Sequence, residues 1–161
     1  MYVYYVKNAE DDTTKYFVSP IPSDMLSENK GLPPECIMGQ IIQDPQNFVP
    51  ENFVQNKAFV DLLHEVIADN VNEYAPVKEE AEKQNEGYVY IIDARTKKPG
   101  VDVPQEDIIG AVEVKDGRIG EYKPSPNYVL YTSSGFMQLD QWFNERLFNV
   151  MVEHLKAWSE S

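Results

Sequence analysis

Two histidines, His64 and His154, and one cysteine, Cys36, are the side chains with which this chain could attack a substrate, shuttle a proton or hold a transition metal. His64 lies in the run Asp61-Leu62-Leu63-His64-Glu65. Asp61 and Glu65 are four apart and share a helix face, a spacing able to hold a divalent ion with the imidazole nearby. The same histidine continues the row Val60, Ile67, Val71, which puts it at the edge of an apolar stripe. A zinc-protease motif fails, because Ala68 stands where H-E-x-x-H needs its second histidine. His154 shares a helical face with Val150, Met151 and Trp158 and reads as a half-buried histidine with a satisfied hydrogen bond. A catalytic pair would need the helices of His64 and His154 to pack face to face.

Cys36 has an acid, Glu35, beside it and no base. A neighbouring carboxylate raises a thiol's pKa, the opposite of what a nucleophile needs, so Cys36 reads as a small core residue. As the only cysteine it can form no intramolecular disulfide and no thiolate cluster. Thr132-Ser133-Ser134-Gly135 lacks the first glycine of a nucleophile elbow, and no glycine-rich phosphate loop occurs. Neither a cofactor nor a metal is expected. Arg95 with Lys97-Lys98 is the one basic knot, and in so acidic a chain it is expected to pair with neighbouring acids. Glu79-Glu80 and Glu106-Asp107 are acid pairs of a kind that chance supplies here, and they carry no acid–base role without a cleft.

The tyrosines say more. Alternation along the first strand points Tyr2 and Tyr4 one way, Val3 and Tyr5 the other. In the segment 88–93, Tyr88, Tyr90 and Ile92 oppose Val89, Ile91 and Asp93. One side of the sheet is therefore aliphatic and the other rich in tyrosine. A helix is expected to cover at least half of the four rings Tyr2, Tyr4, Tyr88 and Tyr90. Those left open, rimmed by acids, have the composition of a protein-recognition surface.

The net charge of −13 is spread along the chain and not gathered in a tail. Such a field repels the phosphate backbone of a nucleic acid and an anionic membrane, and attracts a basic protein. No nucleic-acid or membrane partner is expected, and association with a second copy stays open. The opening Met1-Tyr2-Val3-Tyr4-Tyr5-Val6 lacks the basic region and long apolar stretch of a secretory signal. The longest apolar runs fall far short of the ~18 residues of a membrane span. With a lone cysteine, this points to a soluble, cytoplasmic protein.

These residues need elements to position them. The pattern predicts a hairpin at residues 2–18, with its turn at 7–14. A proline-punctuated stretch follows, holding Pro20, Pro22, Pro33, Pro34, Pro45 and Pro50, with a short helix near 23–28 and a strand near 37–43. Helical periodicity predicts an amphipathic helix over 51–71, started by Pro50 and Glu51, and a polar helical stretch over 77–85 closed by Gly87. Strands follow at 88–93, 108–114, 118–122 and 128–132. Asp116-Gly117 is a type I′ hairpin signal, and Pro99-Gly100 lies in a loop. Ser133-Ser134-Gly135 turns the chain toward a C-terminal helix at 140–158.

At 161 residues one domain, 1–161, is expected. Its class is α+β: a mainly antiparallel sheet of about five or six strands with the two long helices packed on it. The predicted core is Phe59, Leu63, Val66, Ile67, Ile91, Ile109, Val112, Val114, Leu130, Phe143, Leu147, Met151 and Leu155. The functional expectation is an acidic protein-interaction module, inhibitor- or immunity-like, without catalysis. The alternative is a small hydrolase or metal-dependent enzyme using His64 and His154 with nearby carboxylates.

Overall fold

The computed structural model describes residues 1–27, 30–43, 46–97 and 102–161. Glu28, Pro45, Lys98, Pro99 and Gly100, on which parts of the sequence reading fall, lie outside the described residues. The class is α+β with antiparallel pairing throughout. One sheet is not what forms. Among the described residues the strands make three separate sheets, of four, three and two strands. The chain divides into two compact units, Met1–Leu63 with Arg146–Ser161, and His64–Glu145.

In the first unit, β1 (Tyr2–Lys7), β2 (Thr14–Ser19), β3 (Gly39–Ile41) and β4 (Phe53–Gln55) form a meander in that order. The N-terminal hairpin is as the alternation predicts. The short helix is a 3-10 turn, Ser23–Met25. Helix α1 (Lys57–Asn70) begins six residues later than expected, because Pro50 starts only a 3-10 turn, Pro50–Asn52. Phe53 and Val54, good strand formers, are instead claimed by β3 through the pairs Ile41↔Phe53 and Gln40↔Val54. Gly39 allows that pairing: a Cβ there would run into the Phe53 ring and the Val54 carbonyl.

In the second unit, α2 (Ala75–Gln84) ends on Asn85, whose φ of 68° supplies the left-handed turn expected of Gly87. Then β5 (Gly87–Ile92), β6 (Ile108–Lys115) and β7 (Arg118–Pro124) make the three-stranded sheet. Asp116 and Gly117 take φ values of 52° and 73° between β6 and β7, as a type I′ turn requires. Only the end of the next predicted strand is extended and paired, β8 (Tyr131–Thr132), and it pairs with an unexpected β9 (Gly135–Phe136). Ser133 and Ser134 thus form a turn, as expected, and it closes a hairpin before the chain reaches its C-terminal helix. Asp140 opens α3 (Gln141–Glu160), its Oδ1 accepting the Trp142 N–H at 2.9 Å.

The boundaries of the units fall within α1 and α3, so two long helices on one sheet is not the arrangement. All of the predicted core residues are buried. Among the described residues no helix is long and apolar enough to cross a membrane.

Candidate functional site

Cys36 is buried, and its thiol lies 3.7 Å from the Met151 carbonyl. Burial, and then the Glu35 carboxylate, push its pKa up to about 12. A thiol that stays protonated is no nucleophile at neutral pH. Next to it in the chain, Glu35 Oε1 sits 2.8 Å from His154 Nδ1, and the pair is partly exposed. They line a shallow hollow of about 460 Å³ with Glu153, Ala157, Trp158 and Ser161. A histidine held by a carboxylate can act as a general base, but its cysteine neighbour points away into the core.

His64 is held in the second unit, with Nδ1 2.8 Å from the Tyr122 hydroxyl. Asp61, which would share a metal with it, is taken by Lys57 at 2.7 Å in an exposed i,i+4 pair. Glu65 is exposed. Among the described residues no three His, Cys, Asp or Glu side chains converge as a metal ion would need. Ser133, Ser134, Glu79 and Glu80 are exposed on the surface.

The most elaborate polar cluster centres on Arg95, which the sequence offers only as part of a basic knot. Its side chain is fully buried, with Nε 3.1 Å from Asp93 Oδ1 and Nη2 3.2 Å from Asp107 Oδ1. Its Nη1 donates to the Gly135 carbonyl at 3.0 Å, and at 3.4 Å to Leu130 and to the Thr132 hydroxyl. Nη2 donates to the Val129 carbonyl at 2.7 Å and to Glu106 at 3.3 Å. Tyr128 donates to Asp93 Oδ2 at 2.7 Å and Thr96 to Asp107 Oδ2 at 2.7 Å. Burial and the Asp93 charge raise the Tyr128 pKa, so the hydroxyl stays a donor. Nη1 and Nη2 are spent on the protein's own acceptors, while Nε and Asp107 Oδ1 meet their partners as ion-pair approaches without hydrogen-bond geometry, so Arg95 pairs with neighbouring acids as expected. Its chemistry is to fasten four backbone segments: 93–96, 106–107, 128–132 and the stretch around 135. Lys97, by contrast, is exposed.

The tyrosines belong to two sheets, Tyr2 and Tyr4 to β1 and Tyr88 and Tyr90 to β5, so no one sheet carries all four. The expected helix cover is also missing. Tyr2 is 46% exposed, Tyr88 44% and Tyr90 56%, while Tyr4 is intermediate, donating to the Ile21 carbonyl. In β5 the alternation holds: Val89, Ile91 and Asp93 are buried, and the tyrosines face out. In β1 it fails, because Val3 and Tyr5 are exposed too. Cross-strand neighbours on the open face of β5–β6–β7 are Glu113 beside Tyr88 and Ala111 beside Tyr90, with Lys123 of β7 beside Ala111. Lys123 Nζ lies 5.7 Å from the centre of the Tyr88 ring.

Neither a family model, nor a curated protein, nor a solved structure matches this chain.

A shallow hollow of about 300 Å³ adjoins Tyr90 on this sheet, lined by Gln105, Ile108, Gly110, Ala111, Lys123, Pro124, Ser125 and Asn127. It offers an aromatic ring, aliphatic stems and a few polar ends.

Proposed function

We propose that this chain is a small acidic protein-interaction module that binds a basic protein without acting on it chemically, in the manner of an inhibitor or immunity protein. The reading rests on Tyr88 and Tyr90, exposed side by side on a sheet face whose opposite side is buried. Tyrosine gives large contact area for few frozen torsions, which is why it concentrates at binding hot spots. The charge of −13 steers a cationic partner toward it. Tyr88 already takes a cation, Lys123, over its ring, and a partner's lysine or arginine would exchange with it.

The test is affinity capture with the immobilised chain, followed by binding measurements on any stoichiometric partner recovered. Tyr90→Ala should weaken it by about 2 kcal/mol, or roughly thirtyfold. Lys123→Ala should strengthen it, by removing the competing cation. Association should slow as salt rises. A partner insensitive to both salt and Tyr90→Ala would refute the reading.

The enzyme alternative draws on one observation, the Glu35–His154 pair in its hollow. Hydrolytic activity lost in a folded His154→Ala variant would favour it.

A further inference from the structure

We propose that β1 is a self-association strand, pairing antiparallel with β1 of a second copy to join two four-stranded sheets into one. It lies at the edge of its sheet and, among the described residues, pairs only with β2. Its large side chains are open on both faces, with Val3 50%, Tyr5 72% and Val6 58% exposed. Edge strands are usually blunted by a proline, a bulge or several charges. β1 has no proline, its register with β2 is uninterrupted, and Lys7 at its end is its one charge. By contrast β5, an edge of the other large sheet, carries an irregularity between Ile91 and Ile92.

The register identifies the unpaired backbone groups. Asn8 N–H donates to the Thr13 carbonyl at 2.8 Å, continuing the β1–β2 pairing past Lys7↔Thr14. Hydrogen-bonded pairs alternate along an antiparallel ladder, so Val6, Tyr4 and Tyr2 face β2. The Val18 carbonyl agrees: opposite Val3, it turns away to accept Met38 N–H at 2.7 Å. The N–H and C=O groups of Val3, Tyr5 and Lys7 therefore point outward. On a two-fold axis at Tyr5, this set is self-complementary. Tyr5 meets Tyr5 of the partner subunit and Val3 meets Lys7 of the partner subunit, with hydrogen bonds at each pair.

Charge chooses the occupant. Lys7 pairs with Asp12 at 3.6 Å, which leaves Lys15 on β2, beside Val6, as the cation a basic segment would meet. A second copy of a −13 protein is repelled almost everywhere else, but β1 holds no carboxylate. The antiparallel arrangement also keeps the two acidic hairpin tips, Glu10-Asp11-Asp12, roughly 40 Å apart at ~3.3 Å per residue, well beyond the screening length. Parallel pairing would set the tips side by side.

Sedimentation of the full chain over a range of concentrations tests this, with Tyr5→Pro, Tyr4→Pro and Tyr5→Lys as variants. The wild type should form dimers, more tightly at high salt, where the copies' repulsion is screened; this is opposite to the salt response expected of the basic partner. Tyr5→Pro removes an outward N–H from each copy and should weaken the dimer by about tenfold or more while keeping the β1–β2 ladder. Tyr4→Pro should instead lower the melting temperature. Should Tyr5→Pro misfold, Tyr5→Lys keeps the N–H, sets two cations on the axis and should still yield monomers. A wild type monomeric at every concentration, or a dimer untouched by folded Tyr5→Pro or Tyr5→Lys, overturns the proposal. Neither result bears on Tyr90 and the basic partner.

Discussion

Replacing Arg95 by alanine should be among the most damaging single substitutions in the second unit. The change leaves the Asp93 and Asp107 carboxylates buried without their cation and takes the donor from the carbonyls of Glu106, Val129, Leu130 and Gly135. Breaking a buried ion pair by removing one partner costs about 3–5 kcal/mol, against a total stability of roughly 5–15 kcal/mol. With a urea slope of about 2 kcal/mol/M, a loss of 4 kcal/mol lowers the unfolding midpoint by about 2 M. The chain's two tryptophans make the assay specific, because Trp142 lies in the second unit and Trp158 in the first. Trp158→Phe and Trp142→Phe backgrounds therefore report one unit each. The Trp142 signal should shift; whether the Trp158 signal shifts with it tests the expectation of a single cooperative domain. Lys57→Ala is the control, since its exposed pair with Asp61 contributes no more than about 0.5 kcal/mol. The triple change Arg95→Met, Asp93→Asn, Asp107→Asn should recover part of the loss by removing all the buried charge. A cost below about 1 kcal/mol for Arg95→Ala would refute the reasoning, because it would place the cluster energetically with surface pairs.

Three further outcomes follow from the same geometry. Cys36 is raised from 9.0 to about 12 and Tyr74 from 10.0 to about 12, so the unfolded chain releases these protons first. The stability they contribute is intact below about pH 9 and drains away as the pH climbs toward 12. Denaturant midpoints across that window should fall, less steeply in Cys36→Ala, and a flat profile would contradict this. Gly110→Ala drives a Cβ into the Tyr122 ring and should cost about 1–3 kcal/mol in a thermal or urea melt, whereas Tyr122→Phe, losing the His64 bond, should cost about 1 kcal/mol. His64→Ala and His154→Ala should each leave partner binding unchanged, as measured by titration.

Periodicity made the helices and the core legible. Phe59, Leu63, Val66 and Ile67 recur at helical spacing, and burial follows that spacing directly. The start of α1 was not legible, because Pro50-Glu51 is a sound helix signal on its own and only pairing with the distant β3 overrides it. The division into three sheets has the same cause: alternation reports which way a side chain points, not which strand lies beside it. Arg95 shows the limit for polar residues. Its partners come from as far along the chain as Gly135, and no spacing rule links them to it.

Aromatic residues and charge together separate the two surfaces. On β5, Tyr88 lies opposite Glu113 with Lys123 over its ring, and on the proposed reading the net charge of −13 would steer a cationic partner there. On β1 the aromatic and aliphatic side chains are as exposed, and the charges beside them are Lys15 and a Lys7 that pairs with Asp12 at 3.6 Å. Such a strand offers backbone donors and acceptors where the β5 face offers side chains. β1 belongs to the first unit and β5 to the second, and a dimer formed through β1 carries two copies of Tyr90. Two linked sites bind a multivalent basic partner more tightly than either alone when their spacing matches it. A Tyr5→Lys monomer should then show the same intrinsic affinity as the dimer for a monovalent partner but a weaker apparent affinity for a multivalent one. Equal apparent affinities for the multivalent partner would mean that the two surfaces work independently.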